Sequence, residues 1–279
     1  MSAIAADHDE HIHMPEPSIW PIILAFGILF LPVGTLLTYH GVTGGAAILG
    51  AGTVVTLIAA MGWAGSVIHE KTTIDIEWGT RSLSTAWKLF LLSESAIFGA
   101  FFGHFGYTLY HAGEDNPLNP VRHIWPPVGT PHIHLIIPAL GLMMLLLSSA
   151  TCEFAHKALL VNQRGLAKTW LIVTLVLGWA FMGLQGYEWA YLISYDNFTL
   201  STNIFGTQFY LITGFHGFHV ITGILFLFLV YTRMEMGSLT PSRHFSMTAA
   251  SWYWHFVDVI WLFVFLGVYV GATTYEVGH

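Results

Sequence analysis

Seven long apolar runs dominate this chain of 279 residues and restrict what it can fold into. They lie near residues 19–39, 45–68, 87–111, 132–155, 169–194, 204–232 and 250–274. Each reaches the roughly twenty residues that a helix needs to cross a bilayer. The sequence therefore predicts an all-α, polytopic membrane protein with seven transmembrane helices over residues 19–279, preceded by a polar tail at residues 1–18.

The basic residues indicate how these helices are oriented. Eight of the nine Lys and Arg residues fall in or beside the loops that follow the second, fourth and sixth runs, and only Arg122 falls on the other side. Cytoplasmic loops carry an excess of such residues. We therefore expect the N-terminus inside and the C-terminus outside. The net charge of −7 gives no basis for nucleic-acid binding, which needs a basic patch.

Glu94 is an acidic residue set inside the third run, about 9 Å along a helix from Lys88. An ionisable side chain at that depth costs several kcal/mol unless it is protonated, paired or hydrated, which marks a functional site. Helical spacing predicts that four rings share its side, Phe90, Phe98, Phe101 and Phe105. The opposite side carries Gly99 and Gly103, a spacing typical of close helix packing.

Two interpretations of Glu94 remain open at this point. The first is an acid with a functional role, which is the default for an ionisable group inside a span. The second is a neutral carboxylic acid that donates one structural hydrogen bond.

Three further runs each carry a pair of polar residues three positions apart, so that the two members share a helical face. The pairs are Gln185 and Glu188, His216 and His219, and His255 and Asp258. Pairs on three successive helices predict facing surfaces that form a polar network of hydrogen bonds across the bundle. The pairs lie at different depths, so we do not predict one continuous chain of hydrogen bonds through them. Imidazole is a common metal and haem ligand. However, His216 and His219 are too close in sequence to bind two faces of one haem, so we predict no metal in this chain.

The inner end of the sixth run is followed by Arg233, Arg243 and His244. Basic groups at cytoplasmic helix ends can hold a lipid phosphate. The same residues also fit the ordinary excess of positive charge on the inside, and the spacing leaves both interpretations open.

Several segments together resemble subunit III of haem-copper cytochrome c oxidase, of the aa3 type. The longest are TGFHGFHVITG (213–223) and WYWHFVDVIWLF (252–263), joined by LLSES (91–95), WPPVG (125–129) and LQGYEW (184–189). The similarity runs in order from about Trp63 to the last run. The family's Trp-Arg-Asp sequence after the second helix is replaced here by WAGSV (63–67).

This resemblance implies an accessory subunit of a proton-pumping terminal oxidase. It implies no redox centre in this chain, with haem and copper in the partner subunits. Subunit I would pack directly against it, subunit II would dock cytochrome c, and phospholipids would be bound. Glu94 matches the family's carbodiimide-reactive acid and would be a buried, mostly protonated acid that tunes proton entry. Arg233 matches the family's lipid-binding arginine, and Trp63 would be a second lipid contact. The expected location is a bacterial plasma membrane, or the mitochondrial inner membrane in a eukaryote.

Two other functions stay open on the residues alone. A freestanding membrane redox or metal protein would use the histidines of the sixth and seventh runs as ligands. A proton-coupled transporter would use Glu94 as its coupling acid, but such folds usually carry internal repeats and the sequence shows none.

Overall fold

The computed structural model describes residues 18–69, 76–111 and 125–271, and this part of the chain is built from helices. Their bounds are Trp20–Tyr39 (α1), Gly45–His69 (α2), Ile76–Tyr110 (α3), Ile136–Leu160 (α4), Arg164–Ser194 (α5), Ile204–Glu235 (α6) and Phe245–Phe263 (α7). A π-helical segment, Val264–Val270, continues α7.

Each predicted apolar run corresponds to one of these helices. All seven helices in the described ranges are long and apolar enough to cross a membrane. The prediction of an all-α, seven-helix membrane protein is therefore confirmed. The sidedness of the termini stays a prediction, and the predicted polar tail lies almost wholly outside the described residues.

Several helices extend beyond the apolar runs that predicted them. Helix α3 begins at Ile76 rather than near residue 87, α5 at Arg164 rather than near 169, and α7 at Phe245 rather than near 250. An apolar run reports only the part of a helix inside hydrocarbon. The backbone hydrogen bonds of a helix continue into polar residues at the interface, where side-chain polarity no longer matters.

The chain divides into two compact units, residues 1–79 and 80–279. In the first unit, α1 and α2 form a closely packed hairpin. A Cβ added at Gly27 of α1 would lie 2.8 Å from the backbone nitrogen of Thr56 on α2. Small residues that allow backbones to approach closely are the usual basis of helix packing in membranes.

The second unit is arranged around Trp254 of α7, which is fully buried. Its indole N–H donates to the Ser148 hydroxyl of α4 at 2.9 Å. Its ring lies against Gly178 of α5 and Gly223 of α6, where an added Cβ would come within 2.8 Å of the ring. One side chain therefore sets the spacing of four helices.

We expect Gly223→Ala to destabilise the protein by about 1–3 kcal/mol, because the added methyl group overpacks the Trp254 site. The measurement is the midpoint of thermal unfolding of the purified protein in detergent. Gly183→Ala on α5 is the matched control, since a Cβ there meets no described atom within 4 Å. An equal loss of stability in both variants would contradict the role given to Trp254.

Candidate functional site

Glu94 lies on the side of α3 that faces the core of the second unit, as the helical spacing predicts. Phe98 and Phe105 on the same side are 1% and 3% exposed, Phe101 is half-buried, and Phe90 is 38% exposed. On the opposite side, a Cβ added at Gly99 or Gly103 would meet no described atom of the second unit within 4 Å, so these glycines form no close helix packing within that unit. The aromatic side of α3 makes its core contacts instead.

The carboxyl group of Glu94 contacts His219 of α6. Glu94 Oε2 and His219 Nε2 are 3.0 Å apart, and the side chains are 18% and 4% exposed, respectively. The sequence singled out both residues but did not pair them. The contact links α3 to α6. It also gives Glu94 the partner that an acidic side chain inside a membrane span requires.

The hydrogen bond made by the second ring nitrogen of His219 shows where one proton of the imidazole lies. Its Nδ1 lies 2.8 Å from the backbone carbonyl oxygen of Phe215. A carbonyl oxygen can only accept, so this hydrogen-bond network assigns a proton to Nδ1. Either a protonated Glu94 then donates to a bare Nε2, or an imidazolium donates to a carboxylate. Both arrangements hold a single proton between Oε2 and Nε2.

Aromatic rings enclose the histidine side of this pair. The centroids of Phe215 and Phe98 lie 4.6 and 5.1 Å from that of His219, and Tyr253 lies nearly parallel to the imidazole at 6.2 Å. A charge separated from water in such surroundings is costly unless it is paired. The pair is shielded at His219 and remains partly accessible at Glu94.

The three predicted polar pairs have separate surroundings in the part of the chain that the structure describes. His216 packs between Phe181 and Trp261, with centroid distances of 5.8 and 4.9 Å. Neither of its ring nitrogens has a hydrogen-bond partner among the described residues, and the same holds for both carboxyl oxygens of Asp258. His216 and His219 are about 60° apart around α6, which is enough to bring them against different helices.

His255, the partner of Asp258 in the predicted pair, faces α4. Its Nδ1 contacts the Ser149 hydroxyl, and its Nε2 lies 3.2 Å from the Ser251 hydroxyl on its own helix. The sequence prediction missed both serines. Neither is ionised, so neither stood out within an apolar run.

The remaining pair, Gln185 and Glu188, forms a buried cluster with Tyr269 of the π-helical segment. The Tyr269 hydroxyl donates to Glu188 Oε2 at 2.6 Å, and Gln185 Nε2 donates to the same oxygen at 3.0 Å. Tyr269 was not predicted, although it lies eleven residues after Asp258, which is about three helical turns on the same face. Glu188 also lines a cavity of about 290 Å³ together with Asp196 and other residues.

The predicted lipid-binding residues fall in both units. Trp63, 41% exposed, belongs to the first unit. Arg233, Arg243 and His244 surround the turn between α6 and α7 in the second unit, and both arginines are exposed. Within the described ranges, neither arginine forms an ion pair.

The ionisable residues of the spans are distributed rather than clustered. In the part of the chain that the structure describes, no three His, Cys, Asp or Glu side chains lie close enough together to hold a metal ion. The chemistry that the arrangement supports directly is the sharing of one proton by Glu94 and His219.

Comparison with known proteins gives a consistent family. The model of the family described as cytochrome c oxidase subunit III matches residues 10–273. Cytochrome c oxidase subunit 3 from Triticum aestivum is 38% identical over 263 residues, which cover 92% of this chain and 95% of the relative. The subunit 3 proteins of Arabidopsis thaliana and Patiria pectinifera are 38% and 35% identical over 266 and 269 residues. They cover 92% and 93% of this chain, and 95% and 96% of the relatives.

The predicted resemblance is thus confirmed over nearly the whole chain, and the seven apolar helices agree with a multi-pass membrane protein. The chain belongs to the cytochrome c oxidase subunit III family, as an accessory subunit of that oxidase.

Proposed function

We propose that this subunit supports proton uptake by the oxidase through the single proton held between Glu94 and His219. Oxygen reduction takes place elsewhere in the complex. The observation that carries the proposal is the 3.0 Å contact between Glu94 Oε2 and His219 Nε2, combined with the donation from His219 Nδ1 to a backbone carbonyl.

The depth of Glu94 suits this role. It lies about 9 Å along α3 from Lys88. This part of the span is close to the membrane side that the distribution of basic residues predicts to be the inner one. While the proton is shared, the pair has no net charge, either as imidazole with a carboxylic acid or as imidazolium with a carboxylate. Release of that proton leaves one negative charge on the pair, which is costly unless water or a cation is near. The partial exposure of Glu94 leaves one side open for exchange.

We expect Glu94→Gln to leave assembly intact but to slow proton uptake during turnover or shorten the catalytic lifetime of the oxidase. The amide can still donate a hydrogen bond to His219 Nε2, so the packing is kept while the acid is lost. The measurements are proton uptake by stopped flow and activity followed over many turnovers.

Glu188→Gln is the matched control, because it removes another buried acid that has different partners. The proposal predicts that this variant keeps normal uptake and lifetime. Normal uptake and lifetime in Glu94→Gln itself, or equal defects in both variants, would contradict the role given to Glu94.

We further propose that haem and copper belong to the partner subunits, subunit I packing directly against this chain and subunit II docking cytochrome c. Support comes from membership of the family and from the separate surroundings of His216, His219 and His255. The test is to purify the complex in mild detergent, remove this subunit, and record the redox difference spectrum of each fraction. We expect a colourless subunit, and pigment that travels with it would favour a His-ligated redox protein instead.

The exposed Arg233, with Arg243 and His244 beside it, is proposed to hold a phospholipid phosphate, with Trp63 as a second lipid contact. The same purification measures this through the phosphorus content of the complex. Arg233→Gln should lower that content, and an unchanged content would argue for ordinary surface charge.

We also propose that the N-terminus lies inside, from the eight-to-one distribution of basic residues. The single cysteine, Cys152, is buried, which makes introduced thiols easy to follow. Gln163→Cys, before α5, should react with an impermeant reagent only from the inside, and Ser201→Cys, before α6, only from the outside. The reverse pattern would invert the topology.

A further inference from the structure

The cavity of about 290 Å³ that Glu188 lines lies where α4 begins and α5 ends. Besides four aliphatic side chains, its lining carries two carboxyl groups, two phenol rings and two imidazoles. These are Glu188 and Asp196, Tyr187 and Tyr191, and His132 and His134. The lining thus combines acidic, aromatic and apolar groups around one opening, and the Glu94–His219 pair has no part in it.

The carboxyl groups of the lining favour a cation. Glu188 forms a deep part of the lining, since it is only 4% exposed and lies about 9 Å before the end of α5. Asp196, just after α5, is exposed and forms no hydrogen bond or ion pair with the other described residues. The lysines and arginines of the described ranges all lie toward the opposite ends of these helices. No basic side chain of those ranges is therefore at hand to neutralise the cavity.

The aromatic rings indicate which kind of cation fits. Tyr187 and Tyr191 lie one turn apart on α5, and both line the cavity. Organic ammonium groups bind against such ring faces through cation–π attraction. A metal ion is instead held by several oxygen or nitrogen ligands, and within the described chain no three ionisable side chains converge to supply them. The volume lies near the lower limit of ligand pockets, roughly 300–1,000 Å³, so the cavity suits a small headgroup.

The apolar surface beside the cavity indicates what the ammonium group is attached to. Ile136 lines the cavity and begins an exposed apolar stripe on α4. The stripe continues through Leu140, Met143 and Leu147, which are 43%, 55% and 57% exposed. Spacings of three and four residues place these side chains on one face of the helix. The stripe leads from the cavity into the span, which is the path that an acyl chain takes beside a headgroup.

We propose that this cavity binds the ammonium group of a zwitterionic phospholipid, a phosphatidylethanolamine or a phosphatidylcholine. The cation lies among the carboxylates of Glu188 and Asp196 and the rings of Tyr187 and Tyr191, and an acyl chain follows the stripe on α4. The site recognises the positive end of the headgroup. It is therefore distinct from the proposed site at Arg233, which would hold a phosphate at the opposite ends of the helices.

Competition between lipid classes in the purified oxidase tests this proposal. The complex is washed in mild detergent, incubated with equal amounts of phosphatidylethanolamine, phosphatidylcholine and phosphatidylglycerol, and purified again. Mass spectrometry then counts the retained lipids. Phosphatidylglycerol has the same phosphate and acyl chains but no ammonium group, so we expect the two zwitterionic lipids to be retained in preference to it.

Two substitutions locate the preference in the cavity. Asp196→Asn should lower the ratio of retained zwitterionic lipid to phosphatidylglycerol about fivefold, as expected for a partly exposed charge contact. Asp196→Glu should keep the ratio. Tyr191→Leu should also lower it, and this change leaves the net charge unaltered. Tyr110→Leu is the matched control, because Tyr110 is 82% exposed at the same end of the unit and does not line the cavity.

Two results would overturn the proposal. One is equal retention of all three lipids by the wild-type complex. The other is an unchanged ratio in both Asp196→Asn and Tyr191→Leu.

Radiolabelled choline distinguishes a lipid from a soluble amine as the source of the ammonium group. In the washed complex we expect choline to bind weakly, because it lacks acyl chains, and phosphatidylcholine to displace it. Tight binding of choline that phosphatidylcholine does not displace would assign the cavity to a soluble amine and overturn the proposal.

This proposal can fail independently of the proposed function. Glu94→Gln should leave the lipid ratio unchanged, whatever it does to proton uptake. Asp196→Asn should change the lipid ratio and leave proton uptake normal.

Discussion

The hydrocarbon core of a membrane supplies no hydrogen-bond partner, and the arrangement of the second unit depends on this constraint. A polar side chain inside a span must find its partner on its own helix or on a neighbouring one, or stay unsatisfied at a cost of about 1–3 kcal/mol. Glu94 and His219 meet this requirement between α3 and α6, and Tyr269 and Glu188 meet it between the end of α7 and α5. These contacts select which helix faces which.

Apolar contacts and polar contacts have different roles in this fold. In a bilayer, burying an apolar side chain between helices gains little over leaving it in lipid, so close packing must provide the attraction. The indole of Trp254, lying against Gly178 and Gly223, sets how close the helices approach. Hydrogen bonds such as that from Trp254 to Ser148 then set how each helix is rotated, because they require particular atoms to meet.

The sequence alone determines the number of helices well, because the thickness of the bilayer imposes a minimum length on each apolar run. It also identifies Glu94, since an acid inside an apolar run needs a special explanation. It does not identify His219 as the partner. Spacing along one helix shows which side chains share a face, but not which helix that face meets, and the two residues lie 125 positions apart.

The same limit explains the other differences. His216 and His219 share one side of α6 by spacing, yet a rotation of about 60° brings one against Trp261 and the other against Glu94. Tyr269 was missed because a phenol inside an apolar run carries no charge to mark it. The structure also distinguishes polar groups by their surroundings. Among the described residues, His216 and Asp258 are buried and have no hydrogen-bond partner, whereas Glu153 and His255 have partners within the chain and stay partly exposed. The sequence does not separate these two kinds, because spacing along one helix shows neither the burial of a side chain nor the atoms that it meets on another helix.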